Sequence, residues 1–390
     1  MTEFDFDQNI DRRITPALKV HPMVLGEDGE ALFPAGVADM DFPVVPAIVQ
    51  AMRERLEHPV FGYETVPDRL LPSLCQWLSG RHGWQVDERT ILRAPNVLNA
   101  LSMAVNLFSH EGEGIIVQPP VFFDFFDILR ENRRECVLNP LVLEDGRYRM
   151  DFEDLEAKAA LKNTRMMFLC NPHNPVGRVW HRAELEAVAE ICGRHDVLVV
   201  ADEIHGDIVY PGSRYIPFAS LDEHAAANAM TCVSPAKSFN IASCCCAFTI
   251  IPDDEMRAAF QAENSRLTVN KNNALANPAM VAAYTAAGPW LDAVRRHLEG
   301  NVNLVRDALR DMDQVILIEP EGTFLLWMDF RKLNLDPRAL TGFLRNEAGW
   351  AVTRGEAFGE QGEGFARVNI ACSRNVLGRA LDGLDASLSA

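Results

Sequence analysis

The stretch VSPAKSFNIASCCCA (residues 233–247) lies between two apolar, strand-like runs, MTCVS (230–234) and CCAFTII (245–251). It carries Lys237, one of six lysines in 390 residues, and three consecutive cysteines, Cys244 to Cys246. Arginine supplies almost all the positive charge of this chain, so solubility gives little reason for a lysine beside a buried strand. Such a lysine either snorkels outward or works as an amine with a perturbed pKa.

Upstream, further apolar runs of four to seven residues recur: GIIVQ (114–118), RMMFLC (165–170) and VLVVAD (197–202). Runs of this length suit strands buried on both faces. Helical patterns at 97–109 and 182–194 alternate with them, which predicts a mainly parallel α/β sheet. After a long helical region (253–312), VILIEP, TFLLWMDF and FARVNIAC read as strands, interspersed with helices at 338–348 and 375–388. The expected architecture is a large α/β domain over 46–290. Residues 1–45 and 291–390 form a smaller α+β domain, with a ligand cleft between the two.

Composition narrows the function. The net charge is −18, with 48% hydrophobic and 24% charged residues, a soluble globular profile. So acidic a surface repels phosphate backbones and anionic lipid, which argues against nucleic-acid and membrane partners. No apolar stretch reaches the ~18 residues of a spanning helix. The N-terminal MTEFDFDQNIDRR lacks a basic region followed by an apolar run, so it does not read as a signal peptide. Nine cysteines, odd in number and without C-x-x-C pairs, read as reduced thiols in a cytoplasm. A metal site would need the cysteine triplet spaced apart and joined by other ligands, so none is expected, and packing at the start of the following strand is.

The ends of three successive strands decide the chemistry. RMMFLC ends in Asn171-Pro172-His173-Asn174-Pro175, VLVVAD ends in Asp202, and the MTCVS run leads to Lys237. Polar groups at the carboxyl ends of parallel strands face the crevice where α/β proteins bind ligands. An amine, a carboxylate and an amide together match the needs of pyridoxal 5′-phosphate (PLP): an imine partner, a counter-charge for the pyridine nitrogen and a donor to the ring oxygen.

On these residues, and on VADMDFP (37–43), FGY (61–63), CNPHNPVGRVW (170–180), ADEIHGDIV (201–209), SPAKSFN (234–240) and RVNIACSR (367–374), the chain resembles the fold type I PLP enzymes along nearly its whole length. Within them it is similar to the cystathionine β-lyase-like C–S lyases that lie close to the aminotransferases. The resemblance implies that Lys237 bonds the cofactor, Asp202 pairs with the pyridinium nitrogen, and Asn174 holds the ring oxygen with His205 behind it. Ser234 and the N–H groups of Val97 and Leu98 would hold the phosphate, the latter two at a helix N-terminus. Phe122 would stack on the ring, and Tyr63 would reach the phosphate of the second subunit of a homodimer. Arg374 would clamp the substrate carboxylate beside Val37 and Ala38. Asn96 stands where relatives have glycine in the phosphate turn, Phe122 where the lyases have tyrosine, and Cys245 where many relatives have a phosphate-binding base.

The implied reaction is β-elimination from cysteine S-conjugates such as cystathionine, giving a thiol, pyruvate and ammonia. The same residues serve the alternative, transamination of an amino acid and keto acid pair. A third expectation, a regulatory or binding protein on this fold, finds no nucleic-acid-binding appendage in the chain.

Overall fold

The computed structural model describes residues 4–27 and 29–389. From residue 46 the elements that frame the main sheet are, in chain order, α1 (Pro46–Glu57), α2 (Leu70–His82), β1 (Ile91–Ala94), α3 (Val97–Phe108), β2 (Gly114–Val117), α4 (Asp124–Glu131) and β3 (Glu135–Leu138). There follow β4 (Thr164–Cys170), α5 (Arg182–Arg194), β5 (Leu198–Asp202), β6 (Ala229–Val233), α6 (Pro235–Ser238) and β7 (Ala247–Ile250). Seven strands form one sheet in the order β1-β7-β6-β5-β4-β2-β3. The pairs from β6 to β3 are parallel, and β7 runs antiparallel to both of its neighbours. Every residue of β2, β5, β6 and β7 is buried, as continuous apolar runs require when helices cover both faces.

Three helices then cross the 253–312 region: α7 (Asp254–Arg266), α8 (Ala276–Ala286) and α9 (Gly288–Leu309). A boundary at 290/291 falls inside the 22-residue α9. Beyond it, β8 (Ile316–Ile318), β9 (Leu325–Asp329), β10 (Thr353–Arg354) and β11 (Phe365–Asn369) make a four-stranded antiparallel sheet ordered β8-β9-β11-β10. The chain closes with α10 (Arg374–Leu388), capped by the Ser373 hydroxyl.

Two local details bear on the site, and the second corrects an expectation. Asn96 stands in extended backbone (φ −160°, ψ 171°) and caps α3, its side chain accepting from Asn99 N–H at 2.8 Å. It therefore replaces glycine without needing positive φ. The cysteine triplet does not begin the strand. Residues Ala242–Cys244 form a 3₁₀ turn that ends at Cys245 in the left-handed region (φ 51°), and β7 starts only at Ala247. Cys245 is exposed, Cys244 half-buried and Cys246 buried.

Candidate active site

The parallel register sets Cys170, Asp202 and Cys232 side by side at the carboxyl ends of β4, β5 and β6. Asn171 N–H donates to Asp202 O, and Glu203 N–H to Cys232 O, each at 3.0 Å. The strand ends are thus tied together where the polar residues begin. Asp202 is buried; burial pushes its carboxyl up to about 6, against the Ile204 N–H and the Lys237 ammonium.

Lys237 sits on the single turn α6. Ser234 caps that turn, its hydroxyl accepting from Ala236 N–H at 3.1 Å and donating to Cys246 O at 2.6 Å. The proton of that hydroxyl is thereby committed to the loop. Burial and the Arg367 guanidinium push the lysine amine down to about 8, while Asp39, Asp202 and Asp124 pull the other way. Its Nζ donates to Ala38 O at 2.5 Å. Val37 O accepts from Asn369 Nδ2 at 2.6 Å, so the 36–42 segment lies directly against the amine. Asn240, three residues past the lysine, grips the same segment at Met40 N, Met40 O and Phe42 O.

Asn174 is buried, and its Oδ1 accepts from Arg367 Nη1 at 3.1 Å. His205 is buried with its Nδ1 unpartnered and its ring against Phe324 at 5.7 Å. Burial together with Lys237 and Arg367 holds it well below the usual histidine range, so the imidazole is neutral. Val97 and Leu98 open α3 with first-turn N–H groups that an α-helix leaves free. Phe122 is half-buried at the start of α4, its ring 4.9 Å from Phe123 and 6.1 Å from Phe125.

Two residues lie elsewhere. Tyr63 is fully exposed on a loop that lines an open cavity with Asn270 and Asn272. Arg374 begins α10 at the surface, where its backbone N–H and guanidinium meet the Asp7 carboxylate at 2.7 and 3.3 Å. It makes no hydrogen bond to the cluster; the first turn of an outward-facing helix carries it into solvent.

The arginine of the cluster is Arg367, in the middle of β11 and 2% exposed. Its Nη2 donates to Gly36 O at 2.7 Å, its guanidinium lies 4.9 Å over the Phe358 ring, and its Nε has no partner. Among the described residues no carboxylate pairs with it, and burial pushes it down to about 9. A charge inside the apolar run FARVNIA was the sequence signal for it. A second missed residue is Asp207, five positions past Asp202. Its mostly enclosed carboxylate accepts from Ser238 Oγ at 2.6 Å and Trp77 Nε1 at 3.0 Å, and contacts His82 Nε2 at 2.8 Å.

These groups fit PLP. The amine has a depressed pKa, a carboxylate lies within its reach, and unpartnered donors or acceptors remain on His205 and Arg367 and at the head of α3. Residues 34–384 match the family described as aminotransferase class I and II. Cystathionine β-lyase PatB of Bacillus subtilis is 40% identical over 357 residues, 91% of this chain and 92% of that protein. Protein MalY of Escherichia coli is 35% identical, covering 98% of both chains. The crystal structure of cystalysin from Treponema denticola, which contains a pyridoxal 5′-phosphate cofactor, superposes with a TM-score of 0.96 at 30% identity, over 100% of this chain and 99% of that one. Asp202, Lys237 and Arg367 thus meet in a fold shared with lyases and aminotransferases, and the chain belongs to the aminotransferase class I and II family.

Proposed function

We propose that this chain is a PLP-dependent C–S β-lyase that cleaves cysteine S-conjugates such as cystathionine. The observation that carries the reading is a half-buried lysine, its amine pushed down to about 8, beside the buried Asp202 carboxylate at adjacent strand ends. When bound, the cofactor supplies the electron sink that makes a Cα proton removable. Asp202 supplies the negative charge that keeps a pyridine nitrogen protonated. Asn174, with its Oδ1 engaged by Arg367, has its Nδ2 free to donate to a ring oxygen. Val97 and Leu98 N–H groups suit a phosphate, Ser234 accepts a supporting role in that turn, and Phe122 offers an apolar face.

Arg367 takes the substrate α-carboxylate in place of Arg374. A buried guanidinium with no acidic partner gains a bidentate ion pair on binding, whereas Arg374 is already paired with Asp7 in solvent. The Lys237 amine would take the Cα proton as general base. The Cβ–S bond then breaks with its electron pair leaving on sulfur, and the unsaturated amine hydrolyses to pyruvate and ammonia. Tyr63, exposed on its own chain, serves the phosphate of a second subunit in a homodimer. A reducing cytoplasm suits nine free thiols, and among the described residues no helix is long and apolar enough to cross a membrane.

Incubation with cystathionine, without added keto acid, tests the reading. Many turnovers of pyruvate and free thiol per active site are expected. One equivalent of the keto acid of cystathionine per active site, with no pyruvate and no free thiol, would instead mean transamination.

A further inference from the structure

The 36–42 segment, which lies against the Lys237 amine, has its carbonyls gripped almost one by one. Arg367 holds Gly36 O, Asn369 holds Val37 O and Asp39 O, and Asn240 holds Met40 O and Phe42 O. Ala38 O differs: among the described residues it accepts from Lys237 Nζ alone. The lysine cannot fix the carbonyl and also leave it for the cofactor. What fixes Ala38 is therefore its neighbours in the chain, Asp39 above all.

Asp39 is clasped by Arg12 from the N-terminal segment. Arg12 Nη1 donates to Asp39 Oδ1 at 2.7 Å and Nη2 to Oδ2 at 2.6 Å, while Nη1 also reaches Asp41 Oδ1 at 2.8 Å. Lys19, buried on the same segment, meets Asp41 Oδ2 at 2.8 Å and stands 3.9 Å from Asp39 Oδ1. Arg12 opens one 3₁₀ turn (Arg12–Ile14) and Lys19 lies in another (Leu18–Val20). Upstream, the Phe6 ring packs 5.1 Å from Phe42 and 5.9 Å from Trp290, which pins the segment on the far side. A bidentate fork on an anchored chain fixes the carboxylate in place and in orientation.

The charged groups that face Lys237 come from four elements: Arg367 on β11, Asp202 at the end of β5, Asp124 on α4, and Asp39. His205 beside them is neutral. Of the three carboxylates, only Asp39 has an ion-pair partner among the described residues. Its charge acts on the amine only as far as Arg12 leaves it unbalanced. We propose that Arg12 is a positioning residue for the reactive lysine, holding Asp39 and the Ala38 carbonyl against the amine while balancing the Asp39 charge. Lys237 serves a lyase and a transaminase alike, so this role rests on its bond to the cofactor and not on the leaving group. An ion pair that only anchored the N-terminal segment would be blind to the state of the amine.

Titration of the PLP-loaded enzyme over roughly pH 6 to 10, followed by the visible absorbance of the bound cofactor, tests the role. The titrating nitrogen is that of Lys237. Asp39→Asn removes a negative neighbour and is expected to lower the midpoint, whereas Arg12→Met unmasks Asp39 and raises it, each by about 0.5 pH unit. Arg12→Gln removes the same charge but keeps an N–H for Asp39, so it raises the midpoint with less disturbance of folding. Arg12→Lys, which keeps the charge, stays close to wild type. Denaturant unfolding run in parallel should show both partners losing stability alike while their midpoints diverge. Midpoints that move in the same direction in Asp39→Asn and Arg12→Gln, or in neither, would overturn the proposal. A visible band retained by Lys237→Ala would overturn it separately, by removing Lys237 from the cofactor. Opposite shifts in an enzyme that releases no pyruvate would uphold it and reject the lyase reading alone.

Discussion

Arg367 and Arg374 stand seven residues apart in one stretch, RVNIACSR, yet their surroundings are opposite. Arg367 is enclosed in β11 with amide, carbonyl and aromatic neighbours and, among the described residues, no ion-pair partner; Arg374 is half-exposed beside Asp7. Replacing Arg367 by lysine keeps the charge and loses the planar fork, so kcat/KM for cystathionine is expected to fall about 100-fold or more, mainly through KM. Arg374→Ala is expected to change it by less than about twofold, since an exposed ion pair contributes little. Steady-state kinetics of the two variants checks both outcomes. The lysine offers a pH signature. Its neutral amine is the reactive form, and that form gains as pH rises through about 8. Cofactor uptake by the cofactor-free enzyme, followed by absorbance, should therefore accelerate between pH 7 and 9 and level off above. Because Arg367 is the leading charge that pushes the amine down, Arg367→Met should move the midpoint upward. A midpoint unchanged in that variant would rule out the coupling.

At the scale of elements, strands β2, β4, β5 and β6 were legible because burial on both faces demands unbroken apolar runs, and those runs end in the polar residues that matter. Asp202 and Lys237 could be read from that alone. The register that aligns Cys170, Asp202 and Cys232 could not, since period-two side-chain patterns vanish when both faces are buried. The start of β7 was misjudged for a related reason: three cysteines look apolar, but Cys245 turns into the left-handed region and delays the strand by two residues. Nor does sequence distance reveal that Asp207 holds α6 in place through Ser238, the residue after the reactive lysine, while α2 contributes Trp77 and His82. Removing this carboxylate in Asp207→Ala strands three polar groups in the interior. A loss of about 3 kcal/mol of stability is expected, together with weaker cofactor retention, measurable by denaturant unfolding and by dialysis. Ser238→Ala should weaken retention with a smaller loss of stability, because only one donor is removed.

For the whole molecule, the decisive arrangement is a residue cluster drawn from both sheets. Asp202 and Lys237 come from the end of the large sheet, Arg367 from the small one, and the 36–42 segment joins them through Ala38, Gly36 and the side chains of Asn240 and Asn369. We propose the division into 46–290 and the remainder with α9 as the spine shared by both units. Tyr63 has no place in that set. Its loop is nonetheless held firmly: Arg55 donates to His58 O at 2.9 Å and Val60 O at 2.8 Å and covers the Phe61 ring, and Asn272 donates to Glu64 O at 2.7 Å. Ordering an exposed aromatic loop costs conformational entropy, and a second copy of the chain that received Tyr63 would offset it. Co-expression of Lys237→Ala with Tyr63→Phe separates the alternatives. If Tyr63 acts across the interface, each mixed dimer rebuilds one intact site from the Lys237 of one chain and the Tyr63 of the other. Random pairing then restores about a quarter of wild-type activity, since half of the dimers are mixed and each carries one working site of two. If Tyr63 served its own chain, every site in the mixture would carry one of the two lesions, and activity would stay at the level of the separate variants.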